Sequence, residues 1–380
     1  MHAKHAVRYY LCILGLLIFA FFTNDFNLTN VQKTAIVTAI GIDREGEEFS
    51  LTAVIANPSS QGNDGQGGKQ ASKASASDGF VTIQGKGGTM AEALEDINSK
   101  TGWYPKLVFC RLLILGEDFC EGDVFDGLDY FLRSEYAADD PLLAAADGKA
   151  GELLNAKPPL NAAVSEAIEK VLSDQTKRVG AVLTSSLRPF AVSYFSAGNS
   201  GYMPLLQKET EENGDVFRAS ETALFQKGRR IGKLSTEETF ALACIKNPLR
   251  LASYTVEEKG IPNTLLIKNN HRKLHFSIEN DTPKMEIRLT IFANFADGAS
   301  SQSLDNLSGR EKKTAVFTAA ANTLSEQIES VFNTCKALNF DAFDAIGKLQ
   351  KYENNHFEEM QNSLIQRLQL SLSIRFQSIR

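Results

Sequence analysis

The residue types that carry most enzymatic chemistry are few in this chain and poorly spaced for it. It has five histidines in 380 residues. His2 and His5 precede an apolar run, His356 lies in a polar segment, and His271 and His275 open a strand-like stretch. Their spacing suits two ligands on a helix, whereas a strand holds them on one face two same-face positions apart, with no acidic or thiol partner at a recognisable interval. They read as solvated surface. Asp139-Asp140 and Glu237-Glu238 read as caps and turns rather than as a general acid and base. Of the five cysteines, Cys12 sits in the apolar run. Cys110, Cys120, Cys244 and Cys335 are too far apart for a metal knuckle and lie mostly in apolar surroundings, as buried free thiols do. In an oxidising compartment a Cys110 to Cys120 bridge stays open as an alternative. There is neither a Gly-x-Ser-x-Gly elbow nor a zinc-protease helix motif. The expectation is no catalytic residue, no metal ligand and no cofactor site.

One loop invites a ligand. Gly85, Gly87 and Gly88 lie between a strand-like run, Phe80 to Gln84, and a helix opened by Thr89 with Glu92 three residues on, a capping-box pattern. Backbone N–H groups at a helix start hold phosphates. The nucleotide-binding frame of Gly, four residues, then Gly-Lys-Ser/Thr is absent here, because Lys86 stands between Gly85 and Gly87. The loop is not read as a phosphate site.

The elements that would position any site alternate in type. Lys33 to Asp43 and Phe49 to Asn57 read as a hairpin. Residues 59–79 contain no large apolar side chain, so burial cannot offset the entropy of ordering them, and they read as a disordered insertion. Leu107 to Leu115 is a near-continuous apolar run, read as one central strand covered on both faces. Helical spacing follows over Asp123 to Ser134, then a strand at Leu142 to Ala146 and helices over Lys149 to Asn155 and Leu160 to Thr176. Thr222 to Gln226 and Arg229 to Leu234 read as short strands around Lys227-Gly228, and Ser235 with Glu238 as a second capping box. In the last third, Leu274, Phe276 and Ile278, then Met285, Ile287, Leu289 and Ile291, alternate with polar residues as half-buried strands do. Val316, Ala320, Leu324, Ile328, Val331, Cys335 and Leu338 form one stripe of a long helix, read as continuing through Phe343, Ile346 and Leu349. Leu370, Leu372, Ile374 and Phe376 alternate again, as a final strand. The fold class is α+β, with largely antiparallel sheets in three mixed α/β domains behind an N-terminal anchor. The predicted division is 1–23 anchor, 24–200 N-terminal domain, 201–265 small middle domain and 266–380 C-terminal domain.

The net charge of −6 and the scattered lysines and arginines exclude the clustered basic face that nucleic acids require. The start of the chain sets the location. Lys4 and Arg8 precede an apolar run from Tyr9 to Phe22, followed by Thr23, Asn24 and Asp25, the pattern of an export signal or short anchor with all later residues outside the cytoplasm. The stretch Ala20 to Asn24 has no pair of small residues for cleavage and no cysteine for lipid attachment, which favours an uncleaved anchor built on Leu11, Ile13, Leu14, Leu16, Leu17, Ile18, Phe19, Phe21 and Phe22.

Ala35 to Asp43 (AIVTAIGID), Leu107 to Gly116 followed by Asp129 to Arg133 (DYFLR), Thr222 to Ser235 (TALFQKGRRIGKLS) and Lys348 to Tyr352 (KLQKY) occur in an order that resembles the C-subunit family of spore germinant receptors. The resemblance implies three mixed α/β domains on the outer face of the spore inner membrane. It also implies a non-catalytic role with membrane-embedded A-type and B-type receptor subunits as partners. This chain departs from the family's usual lipoprotein pattern, because positions 23–30 hold no cysteine. The competing readings are an exported solute-binding protein and, behind it, an exported hydrolase.

Overall fold

The computed structural model describes residues 13–15, 34–56, 79–160, 163–298 and 307–378. The expected disordered insertion, apart from Gly79, lies outside the described residues, as do Cys12 and every anchor position except Ile13 and Leu14. Those two are helical and exposed. Among the described residues no helix is long and apolar enough to cross a membrane.

The chain begins β1 (Thr34–Glu45), β2 (Glu48–Ala56) and β3 (Phe80–Gly87), then α1 (Met90–Thr101), β4 (Tyr104–Lys106), a 3₁₀ turn (Leu107–Phe109) and β5 (Leu112–Leu115). Next come α2 (Glu117–Cys120), α3 (Phe125–Arg133), β6 (Leu142–Ala146), α4 (Ala150–Leu154), α5 (Val164–Val171), α6 (Asp174–Arg178), β7 (Ser185–Ser186) and α7 (Leu187–Phe195). The middle carries β8 (Ser200–Glu211), β9 (Gly214–Gln226), β10 (Arg229–Leu234), α8 (Thr236–Lys246) and β11 (Ala252–Glu258). It closes with β12 (Ile261–Glu279), β13 (Thr282–Gly298), α9 (Leu307–Ala337), α10 (Ala345–Tyr352), α11 (Phe357–Met360), α12 (Leu364–Arg367) and β14 (Gln369–Gln377).

Two sheets organise these elements. The large one runs β10-β9-β8-β6-β5-β1-β2-β3, with β4 paired to β1 and β7 to β6. Its centre is parallel: β1 with β5, β5 with β6 and β6 with β8. Parallel strands covered on both faces must be apolar throughout, and all four residues of β5 are buried. Alternate residues feed two cores, Leu113 and Leu115 beside α1 and α3, and Leu112 and Ile114 beside α4 and α5. The small sheet, β11-β12-β13-β14, is antiparallel except for β13 with β14, and α9 lies across it. The predicted stripe is that contact. Val316, Ala320, Leu324, Ile328, Val331 and Cys335 are buried, and Leu338, just past the helix, is half-buried.

Four readings need correction. Only the second half of Leu107 to Leu115 is a strand. The first half is the 3₁₀ turn, which leaves Val108 and Phe109 exposed, because an unbroken apolar run carries no period to mark where a strand starts. The helix expected over Leu160 to Thr176 is two short ones, and Leu160 is 91% exposed. The long helix does not continue past Leu338. Asn339 and Asp344 take left-handed backbone conformations, which Asn and Asp tolerate best after Gly, and α10 starts anew at Ala345. The stretch 201–265 has no sheet of its own: β8 to β10 extend the large sheet, whereas β11 and the start of β12 belong to the small one.

Candidate functional site

The residues weighed for chemistry are occupied structurally. His271 and His275 are exposed on β12, with the His271 ring edge-on to Phe292 at 5.3 Å. Among the described residues no group of three His, Cys, Asp or Glu side chains is placed to hold a metal. Glu238 completes the predicted capping box at the start of α8, and its other oxygen accepts from Ser330 Oγ at 2.9 Å and Thr334 Oγ1 at 2.8 Å on α9. It buckles two helices together. Asp140 accepts from Ser186 Oγ and the Arg188 N–H, and Asp139 pairs with Arg188. Cys110, Cys120, Cys244 and Cys335 are buried free thiols, without a Cys110 to Cys120 bridge.

The glycine loop is a packing device. A Cβ on Gly85 would lie 2.2 Å from the Ala93 carbonyl oxygen, so the glycine lets α1 press onto β3. The Lys86 N–H donates to Asp96 Oδ2 and its ammonium pairs with Glu45, which leaves no anion cradle. Of the first capping box only the Thr89 half forms. Glu92 reaches back to Gly88 N instead of Thr89 N.

Two carboxylates that the sequence reading passed over, Asp43 buried and Asp341 half-buried, hold the architecture. Asp43, at the end of β1, accepts from Ala150 N and Gly151 N at 2.8 Å each and so fixes the start of α4. Asp341 does the same for α10 through Ala345 N and Ile346 N. Burial pushes both carboxyls up from their ordinary range, against the pull of those N–H donors. The Asp341 turn also meets the large sheet. Asp341 N donates to Ser200 Oγ, Leu338 packs where a Cβ on Gly232 would stand 2.7 Å from it, and the Lys246 ammonium lies 5.1 Å over the Tyr202 ring. Burial lowers the Lys246 pKa, and the nearby Asp341 charge opposes that shift.

A groove of about 1040 Å³ with convergent side chains lies between α1, α3 and α7. Its floor is aromatic. The Phe125 ring stands 3.9 Å from Tyr194 and 5.7 Å from Phe195, with Tyr130 and Phe49 further along. Asp123 fixes this floor by accepting from Phe125 N at 3.0 Å and Tyr194 Oη at 2.9 Å, which holds the Tyr194 phenol above its ordinary pKa. Two ion pairs stand on the rim. Arg44 pairs with Asp126 at 3.6 Å while lying 5.3 Å over the Phe49 ring, and Arg133 pairs with Asp129 at 2.6 Å. The groove thus joins an aromatic floor to ion pairs on its rim. It suits the side chains of a docking polypeptide. The DYFLR segment lines it through Asp129, Tyr130 and Arg133, whereas Tyr194 and Phe195 carried no sequence signal beyond being aromatic.

Comparison with known proteins places this geometry. Residues 27–208 match the family model described as spore germination protein N-terminal domain, and residues 220–376 match that described as spore germination B3/GerAC-like, C-terminal. Spore germination protein B3 of Bacillus subtilis (strain 168) is 24% identical over 270 residues, 69% of this chain and 68% of that protein. The putative spore germination protein YfkR of the same organism is 22% identical over 296 residues, 74% and 72% of the two chains. The crystal structure of the GerBC protein superposes with a TM-score of 0.54 at 18% identity, covering 90% of this chain and 97% of that one, which shows a shared fold. Two family models covering nearly the whole folded part, in the order the sequence segments suggested, establish that the chain belongs to the spore germination B3/GerAC-like family, with a role in spore germination.

Proposed function

We propose that this chain is a non-catalytic subunit of a nutrient-germinant receptor. It is membrane-attached on the outer face of the spore inner membrane and works beside membrane-embedded A-type and B-type subunits. The observation that carries the reading is the pair of family matches over 27–208 and 220–376. The basic flank and apolar run from Tyr9 to Phe22 support the attachment, and the groove supports docking rather than turnover. Anchoring raises the local concentration of the folded part beside its partners, so a modest interface suffices.

Deleting the gene should abolish germination in response to a defined set of nutrients while sporulation and receptor-independent triggers stay intact. Phe195→Glu tests the groove separately. Phe195 is 70% exposed, so the variant should fold and accumulate normally yet respond poorly to nutrients. Normal nutrient germination in the deletion strain would remove the receptor reading. A normal response in the Phe195→Glu strain would remove only the groove from it. His271→Ala combined with His275→Ala should leave the response unchanged.

A further inference from the structure

The segment from Trp103 to Arg111 reads Trp-Tyr-Pro-Lys-Leu-Val-Phe-Cys-Arg. Pro105, Leu107 and Cys110 are buried, and the 3₁₀ turn pushes the residues between them outward. Tyr104 is 53% exposed, Val108 46% and Phe109 49%. Large apolar side chains left side by side in water mark a surface that is covered in use. Trp103 packs half-buried behind them, and Lys106 and Arg111 flank the turn. The segment itself carries aromatic rings, aliphatic side chains and basic residues with no acid among them, the Glu169 carboxylate near Arg111 coming from a neighbouring helix, and this is the composition of a segment lying at a lipid headgroup boundary.

The topology says where this segment sits. Thr34, the first residue of β1, is in register with Tyr104, and Ile36 with Lys106. The exposed turn is therefore beside the point at which the chain enters the fold from the apolar run. Residues 23–33 join the two, and eleven residues span at most about 40 Å however they run. A compact body of this chain length is roughly 50 Å across. A link shorter than the body cannot hold its far end against the bilayer while Thr34 points away. The entry side, with Tyr104, Val108 and Phe109, is therefore not the end far from the membrane.

We propose that the 103–111 segment rests on the lipid headgroup region as a second membrane contact, with Val108 and Phe109 dipping into it and Lys106 and Arg111 meeting anionic headgroups. The contact would fix how the folded part is turned relative to the bilayer, and so which face meets the membrane-embedded subunits. The inference rests on the anchoring proposed above.

Trp103 is the sole tryptophan of the chain, which makes the test direct. The full-length protein is reconstituted into vesicles of phosphatidylcholine and phosphatidylglycerol, with or without lipids brominated near the headgroup end of the acyl chain. The expected result is that the protein floats with the vesicles and Trp103 emission is quenched by the brominated lipid. The double variant Val108→Glu with Phe109→Glu, checked by melting to be folded, should float equally well and lose the quenching. Flotation without quenching would overturn the lipid contact and leave the anchor standing, assigning the exposed turn to a protein partner. Quenching that survives the double variant would also overturn it. Failure to float would remove the anchor, and the second contact with it.

Discussion

Asp43 and Asp341 solve the same problem in two places: a helix start needs acceptors for its free N–H groups, and a carboxylate outside the helix supplies both, from a distant strand for Asp43 and from the preceding turn for Asp341. Asn offers one acceptor where Asp offers two, so Asp341→Asn should lower stability by about 1–3 kcal/mol in chemical denaturation. The pH dependence has a definite sign. Because burial raises the folded-state pKa of Asp341, the folded protein binds more protons than the unfolded chain between the ordinary carboxylate value and the raised one. Stability from this group therefore falls as pH climbs through that window. The parent should gain on Asp341→Asn as pH is lowered from neutral, and stepped-pH melts giving the opposite slope would show that the N–H donors outweigh burial. The cysteines give a simpler test. Burial pushes the thiols of Cys110, Cys120 and Cys335 up to about 12, and Cys244 is raised as well. Thiolate is the reactive form, so peptides carrying these four should stay unalkylated at pH 8 in the native protein and label fully in denaturant. Their burial was legible from apolar neighbours in the sequence. The role of Asp43 was not, since its partners lie more than a hundred positions away.

At the scale of elements, the stripe on α9 was the clearest sequence signal and is the main contact of the small sheet. Leu324→Asp or Ile328→Asp would bury an unpaired carboxylate among wholly buried side chains, a loss of several kcal/mol that should leave the C-terminal region unfolded by circular dichroism. Parent-like melting of both would mean the helix does not lie on the sheet. Gly85→Ala acts through crowding. With 2.2 Å between the new Cβ and the Ala93 carbonyl oxygen, α1 must shift, and a melt should register about 1–3 kcal/mol of destabilisation. What could be read from sequence here was anything periodic: the hairpins, α9 and β14. What could not was where an element stops. The run Leu107 to Leu115 stays apolar while its backbone changes from turn to strand, and the spacing of α9 runs on through Phe343 and Leu349 although Asn339 and Asp344 have already turned the chain.

For the whole molecule, the contact between the two sheets decides whether they behave as one body. Leu338 against Gly232, Asp341 N on Ser200 and Lys246 over Tyr202 join them at the beginning of β8 and the end of α9. This joint escaped the sequence reading because Gly232, within a strand-like run, and Ser200 carry no pattern that marks a contact between sheets. Leu338→Asp should uncouple the halves and split one calorimetric transition into two; a single transition at the parent's midpoint would show that the joint does not couple them. The pairings also differ in how far apart their residues lie. β12 and β13 form one long hairpin joined by a tight turn at Asn280-Asp281, whereas the centre of the large sheet pairs Ala39 with Leu112 and the edge of the small sheet pairs Met285 with Leu370. Closing the larger loops sacrifices more chain entropy before any contact forms. In refolding, the small sheet's hairpin should gain amide protection first and β5 and β14 last, so a newly made chain passes through a stage with its apolar centre still open. At that stage it is most exposed to aggregation.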